Sequence, residues 1–285
     1  MKVITAKSAG FCFGVRRAIE LAEKTVQGKK RVYTYGPLIH NPQEVKRLAK
    51  AGIRSIEAHG RLRDATLIVR THGIPQELRE KLEQKKLCIV DATCPFVKRA
   101  QDIIKKLSAD DVQIIIVGEK THPEVVGLVS YCRHNGFVVD NRHDITKAKL
   151  GHKPVFVVSQ TTQTPENFAA VVAEIRKTCR NVTTFNTICK ATKDRQEAAR
   201  QLARRVDVMI VIGGKNSGNT RRLAQICSAC TPTHHIETEK ELKAGWFTRA
   251  KNVGLTAGAS TPDWIIDRVA NAIGGKTDGR YKGIK

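Results

Sequence analysis

The sequence predicts an α/β protein made of three similar small units, each with a parallel sheet. Three recurrences carry that prediction: a strand, turn, cysteine and helix in succession; a glycine-ended strand at a fixed distance behind each cysteine; and a further apolar strand that runs into a polar, proline-ended loop. The cysteine segments are VITAKSAGFCFGVRRAIELAEK, LCIVDATCPFVKRAQDIIKKL and VTTFNTICKATKDRQEAARQLA, around Cys12, Cys94 and Cys189. Apolar residues beyond each cysteine fall at helical spacing, as in Val97, Ala100, Ile103, Ile104 and Leu107, so each cysteine sits near a helix N-terminus.

The glycine-ended strands are VYTYG, IIIVG and MIVIG, and Gly36, Gly118 and Gly213 each lie 24 residues past their cysteine. His40, His122 and Ser217 follow at 28 residues, each opening a polar turn, and Pro42 and Pro123 occupy first-turn helix positions. The third strands, LIVRTHGIP, VFVVSQTTQTP and VGLTAGASTP, bring His72, Thr161 and Ser260. Alternating strands and helices of this kind build a small parallel sheet whose ligands gather at the carboxyl ends of the strands. Three such units facing one another would pool their loops. The predicted domains are 14–95, 96–190, and 191–285 together with 1–13.

A chain of 285 residues, 41% of them hydrophobic, can bury a substantial core. No apolar run approaches the roughly 20 residues that span a bilayer, and the start MKVITAKSAG lacks the apolar stretch of a secretory signal, which predicts a cytoplasmic protein without a membrane partner. Lys and Arg number 50 against 27 Asp and Glu, a net charge of +23 that attracts anions of every kind. The basic residues are scattered through helices without interleaved aromatics, the pattern of a solvated surface, and a nucleic-acid partner is not expected.

In a sequence of this type, eight cysteines mark metal or redox chemistry more readily than a disulfide framework. A helix N-terminus favours the thiolate, which is the ligand form. Three equivalent thiolates would leave one iron of an iron–sulfur cluster open to substrate. Zinc with three thiolates and water is the competing reading, and buried packing is the ordinary one for any single cysteine. Cys88 belongs to an apolar strand, Cys132 and Cys179 fall outside the repeated turns, and Cys227 and Cys230 form a lone C-x-x-C at a helix end, read as core or exposed thiols.

Pooled loops would place His40, His72, His122, Glu124, Thr161, Ser217, Asn219 and Ser260 around one cavity. Hydroxyls, an amide, imidazoles and helix N-termini together can cradle a diphosphate without a P-loop, and the GGKNSGNT run resembles such a cradle without being a Walker sequence. Glu124 is the sole carboxylate in these turns and the candidate proton donor. Its ordinary reading is a helix N-terminal charge, as a satisfied core or surface group is for the histidines.

These motifs, Gly10 to Val15, GPLIHNP, THGIP, DATCP, the HPE turn, TTQT, CKATKDRQ, GGKNSGNT and TAGASTPDW, span nearly the whole chain. The sequence resembles the 4-hydroxy-3-methylbut-2-enyl diphosphate reductases, the last enzymes of the methylerythritol phosphate route to isoprenoids. The resemblance implies a pseudo-threefold trefoil of α/β domains around one central [4Fe–4S] cluster per chain, bound by Cys12, Cys94 and Cys189. It implies reductive dehydroxylation of the allylic diphosphate to isopentenyl and dimethylallyl diphosphate. It maps the diphosphate contacts onto His40, His72, Ser217, Asn219 and Ser260, places His122 and Thr161 nearer the reacting end, and makes Glu124 the proton donor. One departure is Gly218, where many members carry a second serine; its backbone N–H can stand in for the hydroxyl. No dinucleotide fingerprint follows a strand, so electrons are expected from an acidic carrier such as ferredoxin or flavodoxin. The rival readings are a basic iron–sulfur or zinc protein that senses redox state and binds nucleic acid, and a zinc hydrolase of phosphorylated metabolites.

Overall fold

The computed structural model describes residues 1–274 apart from 29–30, 58–61, 63, 86, 110, 134, 148–149 and 151–152. The expected end of the third domain, 275–285, lies outside the described residues. In chain order the elements are β1 (Lys2–Thr5), α1 (Phe13–Gln27), β2 (Val32–Tyr35), α2 (Pro42–Lys50), β3 (Ile53–Ile56), β4 (Thr66–Val69), α3 (Gln76–Glu83) and β5 (Cys88–Asp91). Then come α4 (Pro95–Leu107), β6 (Gln113–Val117), α5 (Pro123–Ser130), β7 (Gly136–Val139), β8 (Val155–Ser159), α6 (Pro165–Thr178) and β9 (Val182–Phe185). The last are α7 (Lys190–Ala203), β10 (Val208–Ile212), α8 (Gly218–Ser228), β11 (Thr233–Ile236), β12 (Asn252–Ala257) and α9 (Asp263–Ala272).

These strands form three sheets of four, ordered β3-β2-β4-β5, β7-β6-β8-β9 and β11-β10-β12-β1, with every described pairing parallel. The order is the same each time, as the repeats imply. Each sheet has one strand more than the sequence reading supplied. The additions, β3, β7 and β11, are edge strands, largely half-buried or exposed, so they lack the continuous apolar run that marks a strand covered on both faces. The strand leading into each cysteine takes the opposite edge of the sheet that precedes it in the repeat order. Thus β5 pairs with β4 ahead of Cys94, and β1 pairs with β12 ahead of Cys12.

The central strands are buried on both faces because helices cover both. Along β6, Ile115 and Val117 join Val157, Val171 and Ile175 on the α6 side, while Ile114 and Ile116 join Ala100, Ile104 and Leu128 on the α4 and α5 side. In β10, Ile210 and Ile212 meet Ile265 and Val269 of α9, and Met209 and Val211 meet Leu202 and Leu223. This alternation follows from the period of two in strands. Among the described residues no helix is long and apolar enough to cross a membrane.

The described chain packs as two compact units. One holds Met1–Arg16, His40–Lys46 and the residues from Lys190 onward; the other holds Arg17–Ile39 and Arg47–Cys189.

Candidate active site

The same backbone contact holds all three cysteines. The N–H of Cys12 donates to the carbonyl of Ala259 (3.1 Å), that of Cys94 to Thr71 (2.9 Å) and that of Cys189 to Thr161 (3.0 Å). Each acceptor lies two residues beyond a central strand, after β12, β4 and β8. The register therefore aligns Thr161 with Thr71 and Ala259, one residue ahead of His72 and Ser260. Behind each cysteine a helix begins at once: the carbonyls of Cys12 and Cys94 accept the N–H groups of Arg16 and Lys98, both at 2.9 Å. All three thiols lie outside any disulfide and are half-buried, at the positive end of a helix.

The other cysteines differ. Burial pushes the Cys132 and Cys227 thiols up to about 12, and both pack inside hydrophobic clusters. Cys88 and Cys230 are exposed, and Cys179 is half-buried at the end of α6. With one thiol in the core and the other outside, Cys227 and Cys230 make no chelating pair.

In the larger unit, His122 opens α5, and its Nδ1 accepts the N–H of Glu124 at 3.2 Å, which puts the ring proton on Nε2. Glu124 is 1% exposed. Both of its carboxylate oxygens accept from Thr161, which donates its N–H to Oε1 (2.6 Å) and its hydroxyl to Oε2 (2.8 Å). Thr161 is also the residue whose carbonyl accepts the Cys189 N–H, so Thr161 links Glu124 to Cys189 through hydrogen bonds. The rings of His72 and His122 meet edge to face with centroids 5.3 Å apart. Thr71, next to His72, sends both its N–H and its hydroxyl to the carbonyl of Leu38 (3.3 and 3.0 Å) while accepting from Cys94. Sequence reasoning passed over Thr71; its place, aligned with Thr161 ahead of the THGIP turn, was the available signal.

The other unit holds Cys12, His40, Ser217, Gly218, Asn219 and Ser260. Ser260 donates its hydroxyl to the carbonyl of His40 at 3.0 Å, and a Cβ on Gly214 would lie 2.6 Å from that same oxygen, so the GGKNSGNT turn needs glycine to pack on the His40 backbone. Ser217 caps α8 by accepting the Thr220 N–H (3.3 Å). Gly218 and Asn219 then occupy the first helical positions, where backbone N–H groups have no intrahelical acceptor. Asn219 is 5% exposed, yet neither its amide oxygen nor its nitrogen has a partner in the protein. A buried amide left so is the mark of a polar ligand. The cap residues are His122 and Ser217 in two repeats, but Asn41 in the first, where its Oδ1 takes the Glu44 N–H at 2.9 Å and His40 stands one place earlier.

Arg195 was also missed. It is 4% exposed and donates Nη2 to the carbonyl of Gly10 at 2.7 Å, bracing the loop that carries Cys12. Its signal lay in the spacing, since Thr192, Arg195, Gln196 and Ala199 form the buried stripe of α7 and a charge on that stripe needs a purpose. Gly10 itself has φ +94°, and a Cβ there would lie 2.7 Å from Asp263 Oδ1.

Thiols at helix entrances are soft donors of the kind that hold iron–sulfur clusters or zinc, so each of Cys12, Cys94 and Cys189 has the chemistry of a metal ligand. In the unit that carries Cys12, His40, Ser217, Ser260 and the buried Asn219 amide supply the chemistry of an oxyanion site.

A family profile described as LytB protein matches residues 3–274. The 4-hydroxy-3-methylbut-2-enyl diphosphate reductase of Pelobacter propionicus is 49% identical over 275 residues, covering 96% of this chain and 98% of that protein. The enzyme of that name from Aquifex aeolicus is 49% identical over 276 residues, 95% of each chain. A solved structure of (E)-4-hydroxy-3-methyl-but-2-enyl diphosphate reductase, described as the terminal enzyme of the non-mevalonate pathway, is 48% identical with a TM-score of 0.70, covering 96% of this chain and 99% of that one. The Plasmodium falciparum E-1-hydroxy-2-methyl-but-2-enyl-4-diphosphate reductase is 28% identical with a TM-score of 0.92, covering all of this chain and 94% of that one. With the profile running through nearly every described residue and relatives near half identical along their full lengths, the chain belongs to the LytB protein family.

Proposed function

We propose that the protein reduces 4-hydroxy-3-methylbut-2-enyl diphosphate to isopentenyl and dimethylallyl diphosphate, the last step of the methylerythritol phosphate route. Two electrons and two protons replace the hydroxyl by hydrogen and release water. The observation that carries the reading is the buried Glu124, held at both oxygens by Thr161, which in turn holds Cys189. Full-length relatives bearing that enzyme's name support it.

Cys12, Cys94 and Cys189 would hold one [4Fe–4S] cluster. When bound, the cluster supplies electrons singly and an iron able to act as a Lewis acid toward the substrate hydroxyl. Glu124 stores the proton. The Thr161 hydroxyl, both donor and acceptor, can take a proton from Glu124 Oε2 while giving its own to the substrate. His122 offers its Nε2 proton in the same direction, because Nδ1 is committed to the helix. Ser217, Asn219, Ser260, His40 and His72 bind the diphosphate; the Gly218 N–H at the first position of α8 adds a contact for which no side chain is needed. Burial of Ser217, Asn219 and Ser260 excludes water from them, which strengthens their contacts with the anion.

The domain boundaries that accompany this reading are 14–95, 96–190, and 191–285 with 1–13. The proposed location is the cytoplasm, whose reducing conditions suit eight cysteines that form no disulfide. An acidic carrier, ferredoxin or flavodoxin, delivers the electrons. Anaerobic purification with iron quantitation and a substrate assay tests the whole: about four irons per chain and turnover of the allylic diphosphate are expected. One zinc and no colour, or tight oligonucleotide binding without turnover, would replace this reading with one of its rivals.

A further inference from the structure

We propose that the outer face of α4 is the docking surface for the acidic electron carrier. The inference rests on the reductase reading and deepens it by saying where electrons enter.

Helix α4 has Cys94 as its N-cap, so its first turns begin at a proposed cluster ligand. Its inner face, Val97, Ala100, Gln101 and Ile104, is buried. Its outer face is a groove of about 470 Å³ lined by Pro95, Lys98, Arg99, Asp102, Ile103 and Lys106. Three cations face one carboxylate there. Lys98 is partly neutralised, its Nζ standing 3.5 Å from Asp91, which also pairs with Arg79. Arg99 and Lys106 therefore carry most of the attraction.

Three physical requirements meet on this face. Electron transfer falls off steeply with distance, so a carrier must seat close to the metal, and the first turn of α4 follows directly on Cys94, its N-cap. Association must be fast and reversible for two carriers to serve one turnover, which favours charge attraction over a large apolar seal. A transient interface still needs apolar contact, and Pro95 and Ile103 provide it among the charged lining residues. The cation four residues past the cysteine recurs as exposed Arg16 in α1 and exposed Lys193 in α7, so each ligand helix opens with a positive charge turned to solvent. Each reduced carrier gives up one electron, and two oxidised carriers leave per hydroxyl reduced.

The test uses holoenzyme prepared without air, with an acidic [2Fe–2S] ferredoxin as the probe. Arg99→Glu combined with Lys106→Glu is compared with wild type and with a control pair of equal charge change, Lys50→Glu and Lys240→Glu, at exposed positions on other elements. The α4 pair is expected to raise the KM for reduced ferredoxin roughly tenfold or more and to flatten its dependence on salt. Its calorimetric Kd for oxidised ferredoxin should weaken in parallel. Turnover driven by reduced methyl viologen, and iron content, should match wild type. A ferredoxin KM and Kd within about twofold of the control pair would overturn the proposal. If the double reversal expresses poorly, Arg99→Gln with Lys106→Gln keeps the comparison, read as a smaller change of the same sign. Failure of wild type to turn over the diphosphate with methyl viologen would refute the reductase reading instead, so the two failures are distinguishable.

Discussion

Glu124 and Asp91 are two carboxylates whose surroundings assign them different work. Glu124 is enclosed, and Thr161 donates to both of its oxygens. Glu124→Gln preserves size and most of the hydrogen bonding but removes the transferable proton, so turnover should fall by about a hundredfold or more, with iron content and substrate binding retained. Single-turnover kinetics alongside a binding titration check this; near-normal turnover would move the proton donor elsewhere. Asp91 sits three residues before Cys94. Burial alone would raise its pKa, but the hydroxyl and N–H of Thr93, with Arg79 and Lys98 nearby, outweigh burial and hold the carboxyl below its usual range. A depressed native pKa means its stabilisation is fully present above the unfolded value of about 4 and is lost as pH falls through the native value. Urea midpoints followed from pH 6 downward should fall on the acid side in wild type, with a shallower fall in Asp91→Asn. Equal acid slopes would show that Asp91 contributes nothing there.

Each helix that follows a cysteine presents one stripe to the core and its N-terminus to the proposed site. On α7 that stripe contains a cation, Arg195, whose Nη1 reaches the carbonyl of Ala191 on the same helix and whose Nη2 reaches Gly10. The helix thereby braces a loop some 185 residues away in sequence. Arg195→Met keeps the aliphatic stem but leaves the Gly10 carbonyl without that donor, a loss of about 1–3 kcal/mol. Denaturant midpoints of the apoprotein should drop accordingly, and reconstitution of the cluster should slow. An unchanged midpoint would mean that the Gly10 carbonyl finds another donor. Elements at the sheet edges behave differently: β3, β7 and β11 each bury only one residue fully, so their part in the site is indirect. They hold the Gly36, Gly118 and Gly213 N–H groups through Ile56, Val139 and Ile236 (2.8, 2.9 and 2.9 Å), steering the chain into the turns at His40, His122 and Ser217.

Across the whole chain the cysteines divide by environment rather than by spacing. The three at helix entrances are reachable and braced by the same carbonyl contact, whereas Cys132 and Cys227 are held as protonated thiols in apolar clusters. Cys94→Ser should therefore lose the cluster, read as lost iron and lost visible absorbance, while Cys230→Ser keeps both. Loss of iron in both variants to the same extent would contradict this division. The molecule as a whole carries +23, yet charge of that size selects no partner by itself. Selection comes from where cations stand relative to the ligand helices.

Three units, the strand or helix character of their apolar segments and the 24- and 28-residue offsets were legible in the chain because each repeat restates the same period and the same punctuation. Glycine at a strand end and proline at a helix start act locally, and local chemistry can be read in one dimension. The fourth strands were not legible: β3, β7 and β11 become strands by pairing with a neighbour already in place, and their residues have little periodicity of their own. The same holds for Thr71 and Arg195, whose importance lies in which carbonyl they reach. Sequence alone determined the residue types that can bind sulfur-loving metal and oxyanion, and the order in which they occur. Only the tertiary structure decided that Thr161 joins Glu124 to Cys189, that Asn219 is buried without a protein partner, and that Cys227 belongs to the core, because hydrogen bonds and desolvation depend on distances that the chain acquires when it folds.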